Sequence, residues 1–220
     1  MRTLDSSISP LARLLSAYAG ENVERHRWSW ALDARLADII RTTSEPLIGQ
    51  MRMTWWHDVL TDEAQTNGRG DPLVDAWRAA EMPATGGCLA MIDGWEELIG
   101  QDTPDERALK AFAEGRGGGL FMMQAGASIE AAAVLAAAGA AWALWDLSGH
   151  VTDGGTADRA ITLAREYLPV ASSGAWARGW RAQRIAFGLA RRDIVRGRRA
   201  PGHLTPRLYA RLLRIALLAR

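Results

Sequence analysis

Acids stand four residues apart at Asp58 with Asp62, at Asp93 with Glu97, and at Asp102 with Glu106. On a helix that spacing puts both carboxylates on one face, where they can hold Mg²⁺ against a diphosphate. The plain alternative is a solvated acidic face, and Glu106 has a second use as half of a capping box with Thr103. The four histidines, His26, His57, His150 and His203, are dispersed and form no HxxxH or Cys/His cluster, so a zinc site has little support. His57 beside Asp58 resembles half a catalytic dyad, but neighbours one apart on a helix diverge. No GxSxG elbow is present. Cys88 is the sole cysteine and reads as a buried, inert thiol. The run Gly115-Arg116-Gly117-Gly118-Gly119 lacks a preceding strand and a GKS or GKT ending, so it reads as close backbone approach rather than a phosphate loop. Trp55, Trp56, Trp142 and Trp145 read as packing residues.

The elements that must position these residues are helical almost throughout, with no alternating-period strand and no internal repeat. Ser9-Pro10 opens a helix to about Ala19, and residues 22–41 form a second with Trp28, Leu32, Leu36, Ile39 and Ile40 on one stripe. Ser44-Glu45-Pro46 is a stop and restart. The third helix is expected to reach about Gln65 with Ile48, Met51, Trp55, Val59 and Leu60 inward. A polar loop over 66–70 precedes a helix from Pro72 to about Ala80. Further helices are expected at about 87–99, from Glu106 into the glycine run, and over the alanine-rich 129–149. Gly154-Gly155 reads as a break, followed by helices at about 157–168, 174–196 and 205–219. With no Pro/Ser-rich linker, the expectation is one all-α domain over 1–220.

Composition bounds the class. The chain has 220 residues, 48% of them apolar, and a net charge of +1, which excludes disorder. The longest uncharged apolar run, Ala131 to Trp145, is shorter than the roughly 20 residues of a membrane span and reads as a buried helix. A lone thiol and no secretory signal suggest a cytoplasmic protein, or one at the periphery of the inner membrane. Charge is divided along the chain: residues 151–220 hold 14 arginines against four acids. Either the halves attract each other within the fold or the second presents a basic surface. The run Arg191-Arg192-Asp193-Ile194-Val195-Arg196-Gly197-Arg198-Arg199, with Arg207, Arg211 and Arg214 beyond it, suits phosphate, anionic lipid or an acidic partner. The last helix is basic and amphipathic, compatible with lying on a membrane or with an edge helix whose outer face is wet. Nucleic acid is disfavoured by the near-neutral total and the lack of a recognisable module.

The stretch Ala31-Leu32-Asp33-Ala34-Arg35-Leu36-Ala37-Asp38-Ile39-Ile40-Arg41 leads into Ser44-Glu45-Pro46-Leu47-Ile48-Gly49-Gln50-Met51-Arg52 and Trp55-Trp56-His57-Asp58. Together they resemble the squalene/phytoene synthase family, in particular a divergent bacterial branch similar to a mitochondrial complex I assembly factor. Looser likenesses cover Phe112–Met123, Gly139–Val151 and the closing helices. The resemblance implies the all-α isoprenoid synthase fold, helices around a central cavity. It also implies two aspartate motifs whose Mg²⁺ ions neutralise prenyl diphosphates. Here the first motif falls on Ala37, Asp38 and Arg41, and the second on Asp146, His150 and Gly154, so most metal carboxylates are missing. Phe112 stands where the family has a tyrosine.

The resemblance therefore implies a non-catalytic binding or assembly protein with no cofactor and no metal site. Arg35, Asp38, Arg41, Arg52, Phe112 and Asp146 are its binding candidates. The expected partners are a prenyl lipid or diphosphate and another protein. One alternative is an active head-to-head prenyltransferase that requires Mg²⁺ and uses an altered site on Asp38, Asp146 and Asp153. The other is a peripheral membrane protein held by Arg191–Arg220.

Overall fold

The computed structural model describes residues 8–82, 86–126 and 133–218, and all regular structure in them is helical. The helices are α1 (Pro10–Ser16), α2 (Val23–Thr42), α3 (Pro46–Thr61), α4 (Pro72–Ala79), α5 (Gly86–Glu96), α6 (Glu106–Phe112), α7 (Gly119–Ala125), α8 (Ala133–Ser148), α9 (Gly154–Ala171), α10 (Arg181–Val195) and α11 (Pro206–Leu218). A wide π-helical turn, Ala113–Gly118, joins α6 to α7 without a break. The expected start of the alanine-rich helix near residue 129 and the end of the last helix at Ala219 lie outside the described residues.

Local chemistry sets the ends. Ser9 caps α1 by accepting the Ala12 N–H at 3.2 Å, and Asp71 caps α4 through the N–H groups of Leu73 and Val74. Both helices begin with proline, whose missing N–H costs nothing there. The cap of α6 is Asp105, which accepts from Ala108 at 2.7 Å. Thr103 and Glu106 do not form the expected capping box: Glu106 follows the cap directly and instead pairs with Lys110 at 2.8 Å. Gly154 and Gly155 do not break the chain. They are the first residues of α9, because Asp153 caps it through the Thr156 N–H at 2.6 Å. Helix α3 ends at Thr61, short of Gln65, because the Asp62 carboxylate gathers the N–H groups of Ala64, Thr66 and Asn67 into a loop. Helix α10 begins at Arg181, not 174, since α9 runs on to Ala171 past Pro169.

Helix α8 is buried on nearly every side, packed by α9, α10 and the π turn. No described helix is long and apolar enough to cross a membrane. The glycines explain how so many helices reach one axis. A Cβ at Gly117 would overlap the Gly139 carbonyl of α8, and one at Gly94 of α5 would overlap the Arg116 N–H. The glycine run is thus a packing device, as its lack of phosphate-loop context indicates. Cys88 is fully buried, 3.4 Å from the Met123 sulfur.

On α2 the expected stripe holds: Trp28, Leu32, Leu36 and Ile39 are buried, and the Trp28 indole donates to the Leu73 carbonyl at 2.8 Å. On α3 it does not. Ile48, Met51 and Trp55 are exposed, while Gly49, Met53, Trp56, Val59 and Leu60 face inward. Apolar residues stand on both sides of this helix, so periodicity alone cannot choose. Gly49 marks the inner face: a Cβ there would stand 3.2 Å from an Ile99 methyl, a tight contact.

Candidate functional site

Helices α1, α2 and α8, with the end of α5 and the π turn, enclose a cavity of about 380 Å³. That lies in the usual range for small-molecule sites, about 300–1,000 Å³. Its apolar walls include Leu11, Leu15, Trp30, Leu98, Trp142 and Leu147. Its floor is polar, formed by Asp33, Arg116 and Asp146. The exposed residues Arg41, Gln101, Asp102 and His150 form the mouth.

Arg116 organises the floor. The π turn widens the helix by one residue and leaves this side chain only 5% exposed. Its Nε and Nη2 donate to the two oxygens of Asp33, on α2, at 2.8 and 2.9 Å. Nη2 also donates to Asp146, on α8, at 2.8 Å. The guanidinium lies 4.5 Å from the ring centre of Trp95, 4.9 Å from Trp142 and 5.4 Å from Phe112. Those electron-rich faces favour a cation. The Trp95 indole closes the set by donating to Asp33 at 2.8 Å. Burial works against the charge on Arg116, but the two carboxylates outweigh it and hold the guanidinium above its ordinary value. One donor, Nη1, has no partner, nor do the indole nitrogens of Trp30 and Trp142.

The expected site residues divide around this cavity. Ala37, Arg41, Asp146 and His150 line it together. The His150 ring nitrogen Nδ1 stands 2.8 Å from the Asp146 carbonyl and 3.8 Å from its carboxylate. Asp38 does not line the cavity; it pairs with Arg41 one turn on. Phe112 is fully buried behind Arg116, edge-on to Trp95. Gly154 lies outside the cavity, its carbonyl accepting from Arg199 at 2.9 Å. Asp153 is spent on the α9 cap, and the Thr156 hydrogen bonds hold its carboxyl below the usual range. Arg35 and Arg52 border a separate groove of about 250 Å³ with Trp55, Trp56 and Asp71. There Arg35 pairs with Asp71 at 3.2 Å and Arg52 donates to the hydroxyls of Thr42 and Thr43.

The acid pairs four apart also separate. Asp62 is committed to its loop, where the Asn67 N–H above all holds it below the usual carboxylate range. Glu97 pairs with Arg107 at 3.1 Å. Asp102 reaches the cavity mouth. No group of three or more His, Cys, Asp or Glu placed to hold a metal occurs among the described residues.

Sequence reasoning missed Asp33, Arg116, Trp30 and Trp95 as cavity residues. A usable signal was present for two of them: an acid inside the apolar stretch Trp30–Leu36, and a cation inside a glycine run flanked by apolar residues. Compared with protein-family models, curated proteins and solved structures, the chain finds no match.

Proposed function

We propose that the protein binds an apolar or amphiphilic small molecule in this cavity and performs no metal-dependent ionisation of a diphosphate. It would be a non-catalytic relative of the squalene/phytoene synthases, with an isoprenoid synthase-like bundle. The observation that carries this reading is the Asp33–Arg116–Asp146 triad. In a metal-dependent site, acids from two facing helices point their free oxygens at a pair of cations. Here the two acids that meet across the cavity floor both accept from one guanidinium, and one Asp33 oxygen accepts from Trp95 as well. One guanidinium offsets one of their two negative charges and occupies oxygens of both acids, so a divalent ion would have to compete with a buried, ring-stacked arginine for the same oxygens. The residues present do not fit Mg²⁺ in that place. Apolar walls with a few polar groups at one end suit a ligand with a long apolar body and a polar head. The motif positions Ala37, Arg41 and His150, none of them an acid, favour the same reading.

The test has two arms on the full chain. Trp30, Trp95 and Trp142 border the cavity, so farnesyl diphosphate or farnesol should quench tryptophan emission saturably, with the same midpoint in Mg²⁺ and in EDTA. Diphosphate release from farnesyl or geranylgeranyl diphosphate should stay at background in Mg²⁺. Robust Mg²⁺-dependent release would overturn the non-catalytic reading, and the absence of any saturable quench would overturn the proposed ligand class.

A further inference from the structure

Helices α10 and α11 end in a surface that the fold leaves unsatisfied in two ways at once. The first concerns charge. Among the described residues, no arginine after residue 150 pairs with an acid before it, so the two oppositely charged parts of the sequence do not neutralise each other. Within the basic part, Arg199 is taken by Asp158 at 2.7 Å and Arg211 by both oxygens of Asp193 at 2.6 Å. Arg191, Arg192, Arg196, Arg198, Arg207 and Arg214 are exposed and pair with no acid. These cations crowd one another. Partial desolvation, then the charges of Arg196, Arg214 and Arg211, hold Arg192 below the ordinary arginine value.

The second concerns apolar surface. Helix α11 turns Leu208, Leu212 and Ala216 into the core. Tyr209, Leu213 and Leu217, spaced four apart, form a row on its outer side, exposed by 41%, 38% and 65%. Val195 and Leu218 extend the apolar area beside the arginines. Single exposed leucines need no explanation, but a row of them alongside unpaired cations does.

We propose that this face docks on an anionic lipid surface. Tyr209, Leu213 and Leu217 enter the headgroup layer, and Arg192, Arg196, Arg207 and Arg214 meet lipid phosphates. Charge complementarity selects this occupant. A second copy placed symmetrically would set arginine against arginine, and a nucleic acid would satisfy the cations but leave the leucine row in water. An anionic bilayer satisfies both, with the helix lying in the interface. The inference is independent of what the cavity holds.

The experiment uses the full chain and vesicles of phosphatidylcholine, with or without about one-third phosphatidylglycerol. Cosedimentation should occur with the anionic vesicles only and fall as salt rises from about 0.1 to about 0.5 M. R192Q/R196Q/R214Q should weaken binding by about 100-fold, roughly fivefold per arginine. L213S/L217S should weaken it by about tenfold. As an independent readout, a polarity-sensitive dye on L217C should shift to the blue on anionic vesicles; labelling is selective because Cys88 is fully buried. Equal binding to both vesicle types, or full binding by the triple variant, would overturn the proposal. Binding that ignores L213S/L217S and is matched by a short RNA would also overturn it, making the face a general polyanion site.

Discussion

Arg116 and Arg192 are the same residue in opposite surroundings. Around Arg116 there are two carboxylates and three aromatic faces, and its side chain is only 5% exposed. Around Arg192 there are three other guanidinium groups, and the nearest acid, Asp193, is already bound to Arg211. A buried charge must be neutralised within the fold, because an unpaired ion in a low-dielectric interior is very costly. An exposed charge is hydrated and can wait for a partner from outside. The difference teaches where each arginine finds its counter-charge: Arg116 finds carboxylates inside the fold, whereas the exposed arginines of α10 and α11 find no acid there.

The largest effect should come from breaking the closed side of that comparison. Arg116→Leu strands Asp33 at 7% and Asp146 at 20% side-chain exposure. The expected loss is about 3–5 kcal/mol, enough to unfold a marginal domain. Chemical denaturation measures it. Arg116→Met with Asp33→Asn and Asp146→Asn should recover at least about half of that loss, since no buried charge then remains unpaired. A loss under about 1 kcal/mol for Arg116→Leu would mean that water already reaches the floor and that the triad does not close it. On the open side, R192Q/R196Q/R214Q should leave the denaturation midpoint unchanged or slightly raised, because those side chains repel one another.

Most of the helical framework was legible because it rests on local signals. Pro10, Pro46, Pro72 and Pro206 mark helix starts, and the α2 stripe shows its burial through spacing alone. What failed was non-local. Helix α3 carries apolar residues on two faces, and its non-local packing against α5, with Gly49 close to Ile99, leaves Met51 and Trp55 outside. The triad joins residues 83 and 30 positions apart, so no spacing rule couples them. Asp146 and Phe112 enter the sequence reading only through the family resemblance; Asp146 lines the cavity, whereas Phe112 lies behind Arg116. Arg116 was passed over because its neighbours are glycines that serve packing. Gly154 and Asp153 looked like a break and a spare acid, yet the acid caps the helix that the glycines begin.

A second intermediate effect concerns an ionisable group the interior keeps neutral. His26 is buried, and desolvation, with the charge of Arg25, lowers its pKa to about 3. Its folded value lies below the unfolded 6.5, so the unfolded chain binds the extra proton first. Stability from this residue is complete above about pH 6.5 and drains as the pH falls toward 3. Between pH 7 and pH 5 the loss should be about 2 kcal/mol, read from denaturation midpoints. His26→Gln should flatten that slope. An unchanged slope would assign the pH dependence to the carboxylates and leave the interior more tolerant of charge than Arg116 implies.

The smallest effect tests whether burial or mere pairing separates the two arginine environments. Asp38 and Arg41 form an ion pair one turn apart on α2, with side chains 49% and 70% exposed. They are the same residue types as Asp33 and Arg116, on the same helix as Asp33, but in water. Water screens the attraction, and holding two long side chains together costs entropy, so Asp38→Ala should cost less than about 1 kcal/mol. It should also leave the cavity's ligand affinity nearly unchanged, because Asp38 does not line the cavity although Arg41 does. A fluorescence titration and a denaturation curve on this one variant check both statements. If Asp38→Ala instead removed ligand binding, Asp38 would be orienting Arg41 at the mouth, and the outer pair would belong to the site as much as the buried triad does.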